Sequence, residues 1–96
     1  MPIISKKTLA DFWLRHQDAE RPLRAWFRIC KNTEFRNFAE LKNAFGSIDT
    51  VGKFTVFDIG GNKSRLISII HYERRKIYVR AILTHKDYDK DLWKQG

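Results

Sequence analysis

The sequence predicts an α+β fold with helices on one face of an antiparallel sheet, and three observations carry that prediction. Apolar residues recur at helical spacing as far as Phe45, whereas from Phe54 onward they form short runs broken by turn residues. The helical and stranded stretches are segregated along the chain rather than alternating, which favours an antiparallel sheet over a parallel one. No repeat, low-complexity tract or Ser/Pro-rich linker interrupts the chain, so residues 1–96 read as a single domain.

The elements follow in order. Pro2-Ile3-Ile4 is expected to be a short edge strand. Ser5 is placed to N-cap a helix of about ten residues with Leu9, Phe12, Trp13 and His16 on its inner stripe. His16 falls in the last turn, where a cation meets the negative end of the helix dipole. Asp18 is placed to cap a second helix, with Pro22 tolerated in its first turn and Leu23, Trp26, Phe27 and Cys30 at helical spacing. Arg21, Arg24, Arg28 and Lys31 lie off that stripe; they read first as a solvated face and second as a nucleic-acid contact face. Asn37-Phe38-Ala39-Glu40 resembles a capping box and opens a third helix, with Phe38, Leu41 and Phe45 inward and Gly46 ending it. Residues 47–52 read as loop. Three strands should follow: Phe54 to Ile59, Arg65 to Tyr72 and Lys76 to Thr84. Gly60-Gly61-Asn62 and Glu73-Arg74-Arg75 are the turns between them, and the result is an antiparallel meander. Tyr88 to Lys94 suggests one or two final helical turns, with Leu92 and Trp93 docking.

Alternation along the strands sorts side chains onto two faces. Ile77, Val79, Ala81 and Leu83 make one wholly apolar row that should lie under the helices. Arg65 and Arg80 fall on the opposite, open face, because an arginine is seldom buried without a partner. A bulge would break this inference. His71 shares the face of Arg65 but stands roughly 20 Å away along the strand, which makes it a surface residue near a turn.

The formal charge of +8 and a pI near 9.9 favour a polyanionic partner such as nucleic acid. The one cysteine, Cys30, rules out an internal disulfide and fits a reducing cytoplasm; it reads as a small buried hydrophobe. No apolar run approaches the roughly 18 residues of a membrane span, and no apolar signal segment follows the N-terminal basic residues. A cytoplasmic protein without membrane contact is expected.

The chemistry concentrates at the end of the last strand. Thr84-His85-Lys86-Asp87-Tyr88-Asp89 brings a histidine, a lysine and a tyrosine together, with Arg65 and Arg80 upstream. From the residues alone His85 is either a strand-end or cap residue or an acid–base group. Asp87 and Asp89 read as residues at the start of the last helix rather than metal ligands. No metal and no cofactor are expected. Three functions stay open on these grounds: an RNA-cleaving enzyme, a non-catalytic RNA- or ribosome-binding module, and a protein that grips an acidic partner.

The second half of the chain also carries a family resemblance. Phe57-Asp58-Ile59-Gly60-Gly61-Asn62-Lys63-Ser64-Arg65-Leu66-Ile67, then Ile77-Tyr78-Val79-Arg80, then Thr84 to Asp89, resemble the HigB-type toxins of the RelE-like superfamily. The resemblance implies a RelE-like fold with N-terminal helices on one face of a curved antiparallel sheet. It implies an endoribonuclease that cleaves messenger RNA, commonly on the translating ribosome, and a cognate HigA-type helix-turn-helix antitoxin. Arg65 falls at the arginine that meets the scissile phosphate in such enzymes, and His85 and Tyr88 fall in the segment that supplies further catalytic groups. Asp58 and Gly60 stand where RelE itself has lysines, which turns attention to imidazole as the acid–base group. The expected catalytic residues are therefore Arg65, His85, Tyr88 and Arg80, with Lys63, Lys86, Lys53 and Lys90 as RNA-contacting cations. The mechanism implied is metal-free: attack by the 2′-hydroxyl on the adjacent phosphate, with cations stabilising the charge that builds up at phosphorus.

Overall fold

The computed structural model describes residues 1–61, 63–90 and 93. Its elements are β1 (Ile3–Ile4), α1 (Lys6–Arg15), a 3-10 turn (Gln17–Ala19), α2 (Glu20–Asn32), α3 (Phe38–Phe45), β2 (Ile48–Val51), β3 (Phe54–Ile59), β4 (Ser64–His71), β5 (Lys76–Thr84) and α4 (His85–Asp89). The five strands form one sheet in the order β1-β5-β4-β3-β2. β2 to β5 make the antiparallel meander, while β1 pairs parallel with β5 through Ile3–Ile77 and Ile4–Tyr78, so the sheet is mixed rather than purely antiparallel.

Two expected N-caps are not made. Ser5 precedes α1, but its φ of 74° lies outside the extended region an N-cap needs, and its side chain caps nothing; instead its carbonyl accepts from Thr8 N at 3.0 Å. Asp18 sits inside the 3-10 turn, so α2 begins at Glu20 without a side-chain cap. The Asn37 cap holds: its Oδ1 accepts from Glu40 N at 3.0 Å, and the Glu40 carboxylate accepts from Arg36 N at 2.9 Å, one residue beyond the usual box partner. Gly46, with φ of 74°, ends α3 in a conformation that side chains disfavour.

Residues expected as loop form the edge strand β2. Ile48 pairs with Phe57 and Val51 with Phe54, and Gly52-Lys53 is the tight turn between strands. β4 starts one residue earlier than expected, at Ser64. The last helix starts three residues early, at His85, because Thr84 caps it by accepting from Asp87 N at 3.2 Å. Asn62 of the β3–β4 turn, Leu92 and Lys94 lie outside the described residues.

The main core lies between the helices and one face of the sheet. Leu9 and Phe12 of α1, Leu23, Trp26 and Cys30 of α2 and Leu41 of α3 meet Phe57, Ile59, Leu66, Ile77, Val79 and Ile82. Phe57 is its centre, with the rings of Trp26 and Phe45 edge-on at 5.4 and 5.0 Å. Burial pushes the Cys30 thiol up to about 12. A protonated, inaccessible thiol is inert, so iodoacetamide should leave Cys30 unmodified in the folded protein at mildly alkaline pH and alkylate it in guanidinium, as read by intact mass.

The alternation expected for β5 fails at a bulge. Ser68 pairs with Val79 and Ile67 with Ala81, which leaves Arg80 as the extra residue. Beyond it the faces exchange: Ile82 enters the helix-side core, whereas Leu83, expected under the helices, joins Phe54, Val56, Ile67 and Ile69 on the other side. Tyr88 and Trp93 pack on this second cluster. The face away from the helices is therefore partly roofed by the C-terminal segment, and this positions the site.

Candidate active site

Arg65 and Asp58 face each other across the β3–β4 hairpin as register partners, equidistant from its turn. Asp58 Oδ1 forms an ion pair with Arg65 Nε at 3.1 Å. Arg65 points away from the helices as expected, yet its side chain is only 11 % exposed because the C-terminal segment covers it. A guanidinium so enclosed needs partners. Besides Asp58, its Nη1 donates to Ser64 O at 3.3 Å, its Nη2 lies 3.4 Å from His85 Nδ1, and its Cζ stands 5.4 Å from the centre of the Tyr88 ring.

His85 is brought there by two local features. Its backbone N–H donates to Lys63 O at 3.0 Å, tying the start of α4 to the β3–β4 loop. The helix beginning at His85 puts Asp89 one turn ahead on the same side, and Asp89 Oδ2 lies 3.2 Å from His85 Nε2. The result is a chain of contacts, Asp58–Arg65–His85–Asp89. Its polarity follows from the donors. A guanidinium can only donate, so His85 Nδ1 accepts from Arg65. The neutral ring then carries its proton on Nε2, directed at the Asp89 carboxylate.

Tyr88 stacks on Trp93 with ring centres 5.1 Å apart, and Trp93 Nε1 donates to Tyr88 O at 3.1 Å. Trp93 also meets Phe54 edge-on, which anchors this part of the roof on β3. Tyr88, Arg65, Asp58, Val56 and Asp49 line an open pocket of about 340 Å³.

The structure thus joins Arg65, His85 and Tyr88. Arg80 does not join them: it is exposed at the bulge and does not line the pocket. Lys63 is exposed beside the site and pairs with Asp18 at 3.6 Å. Lys86 is exposed on α4, and Lys90 pairs with Asp87 at 3.5 Å. Lys53 lies at the other end of β3, over the Phe54 ring at 5.4 Å, roughly 17 Å along the strand from Asp58. His71 is a surface residue edge-on to Tyr78.

Asp58, Asp89 and Asp49 stand at the candidate site, and sequence reasoning gave none of them a role there. The first two had readable signals: Asp58 mirrors Arg65 about the Gly-Gly turn, and His85 and Asp89 are four apart. Asp49 had none, because its segment was not recognised as a strand. Among the described residues no group of three or more His, Cys, Asp or Glu side chains could hold a metal ion, and no helix is long and apolar enough to cross a membrane.

The helix-backed sheet is consistent with a RelE-like fold. The family described as HigB toxin, the RelE-like toxic component of a toxin–antitoxin system, matches residues 19–91. The mRNA interferase HigB of Escherichia coli O6:H1 is 31 % identical over 93 residues, covering 94 % of this chain and 90 % of that protein. The mRNA interferase toxin HigB of Escherichia coli K12 is 32 % identical over 92 residues, 93 % of this chain and 88 % of that one, and the Shigella flexneri mRNA interferase HigB matches equally. The chain belongs to the HigB toxin family.

Proposed function

We propose that this toxin is a metal-independent endoribonuclease that cleaves messenger RNA on the translating ribosome and is neutralised by a HigA-type helix-turn-helix antitoxin. The observation that carries the reading is the Asp58–Arg65–His85–Asp89 chain, together with the names of the relatives.

The chain of contacts suggests how a proton moves. At 3.4 Å the Arg65 to His85 contact is long, and a phosphate oxygen is a stronger acceptor than an imidazole nitrogen. A scissile phosphate arriving at Arg65 takes over the Nη2 donor and leaves the His85 Nδ1 lone pair facing the substrate. That nitrogen removes the proton from the 2′-hydroxyl, whose oxygen attacks the adjacent phosphorus; the P–O5′ bond breaks and the departing 5′-oxygen takes a proton from solvent. Asp89 orients the ring through Nε2 and stabilises the imidazolium as it forms, the role a carboxylate takes behind a catalytic histidine. Arg65 meets the charge growing on the phosphoryl oxygens, with Asp58 fixing its plane. The Tyr88 ring is occupied by Trp93 and Arg65, which favours its hydroxyl, rather than its face, as the group offered to RNA. Lys63 and Lys86 flank the site as phosphate contacts; Arg80 and Lys53 serve the RNA backbone at a distance from the cut.

Ribosomes programmed with a defined mRNA test this reading, with magnesium retained for the ribosome. The expected products end in a 2′,3′-cyclic phosphate and a 5′-hydroxyl, and a single 2′-deoxy substitution at the cut nucleotide should abolish cleavage. A 3′-hydroxyl and 5′-phosphate would show a different reaction. Binding without cut products would make the protein a ribosome-binding module instead.

A further inference from the structure

The pocket beside Arg65 has a charge that a phosphate site would not have. Among the described residues its charged lining is Asp49, Asp58 and Arg65, two carboxylates against one guanidinium, in a chain whose net charge is +8. It stands at the small end of the ~300–1,000 Å³ range of small-ligand sites. Val56 and Tyr88 add apolar surface. Asp49 is opposite Val56 in the β2–β3 register, so it lies diagonal to Asp58 on the same face of the sheet. Each carboxylate already has one oxygen engaged: Asp49 Oδ1 accepts from Thr50 N at 3.0 Å, and Asp58 Oδ1 is ion-paired with Arg65 Nε. A carboxylate has a second oxygen, and it can only accept.

From this the geometry points to a nucleobase site: the pocket seats the base next to the scissile phosphate and selects bases that carry an exocyclic amine, with Asp49 as the specificity-determining residue. This rests on the ribonuclease reading above and names what its site recognises. A phosphate is repelled by the two acids and goes to the Arg65–His85 edge. A flat base with donors on its pairing edge satisfies both acids. Adenine, cytosine and guanine each present an amine there. Uracil presents a single N–H between two carbonyl oxygens, which would face the carboxylates acceptor to acceptor.

The test maps cut positions on mRNA of mixed sequence, free and ribosome-bound, for the wild type, Asp49→Asn and Asp49→Ala. Asp49 is exposed, so both variants should keep the wild-type melting temperature. The wild type should disfavour uracil at one nucleotide flanking the cut by ~10-fold, the size of one good base contact. Asp49→Asn, whose amide offers uracil a donor, should raise uracil there more than Asp49→Ala does. Indifference to the flanking base in the wild type, or an unchanged base profile in Asp49→Asn, would overturn the base site while leaving the ribonuclease intact. No cleavage by the wild type would overturn the ribonuclease reading and the base site with it.

Discussion

Arg65→Ala should lower the rate of mRNA cleavage by about 10²–10³-fold, the usual loss when one preorganised charge-stabilising donor is removed from a reacting centre. The substitution also has a structural cost, and the two must be separated. Arg65 is the guanidinium that compensates Asp58 and fixes His85 Nδ1 as an acceptor. Removing it leaves a carboxylate without its cation in a partly desolvated pocket, a loss of about 1–3 kcal/mol in unfolding free energy. Asp58→Asn in the Arg65→Ala background removes that stranded charge. Its denaturation midpoint should recover most of the loss while its cleavage rate stays low. Arg65→Lys retains a cation but not the fork, so it should keep much of the stability and little of the rate. Lys63→Ala, which loses only an exposed pair with Asp18, should change the rate far less than Arg65→Ala. Equal small effects at both positions in single-turnover assays would move the phosphate site away from Arg65.

The separation between what the residues disclosed and what they did not has physical causes. The helix stripes were legible because their apolar positions keep the 3.6-residue period, and the β3 and β5 boundaries because glycines and charged residues bracket apolar runs. The bulge was not. β5 is apolar at both parities around Arg80, through Val79, Ala81, Ile82 and Leu83, so nothing in the pattern marks where the face changes. That single extra residue moves Leu83 into the cluster under Tyr88 and Ile82 into the core beneath the helices. β2 was missed because four residues at a sheet edge, half of them polar, carry little periodic signal; its register depends on Ile48 finding Phe57 across the turn. In the site, Arg65 and His85 were readable as residue types, but their contact was not. It depends on where α4 starts, and the Thr84 cap sets that start three residues before the expected position.

That cap leads to the second large effect. With α4 starting at His85, Asp89 falls one turn ahead beside Nε2 of the imidazole, and Nδ1 faces Arg65. His85→Ala should reduce cleavage by about 10²–10⁴-fold, the range for loss of a general acid–base group. A structural explanation is poor in advance, because the His85 side chain is half exposed and its removal leaves Arg65 with Asp58 and Ser64 O. His85→Gln makes the distinction sharper. The amide can still bond to Arg65 and Asp89 but cannot carry a proton, so a proton-transfer role predicts a rate as low as that of alanine, whereas a positioning role predicts substantial recovery. Added imidazole should restore part of the activity of His85→Gly in proportion to its unprotonated fraction, because the base must be neutral to accept the 2′-hydroxyl proton. Rescue should therefore rise with pH through imidazole's own titration. Asp89→Asn should reduce the rate more modestly, since it weakens the hold on the ring and its imidazolium but leaves Nδ1 in place. Unchanged single-turnover cleavage in His85→Ala would remove imidazole from the reaction and leave Tyr88 or Lys86 to move the proton.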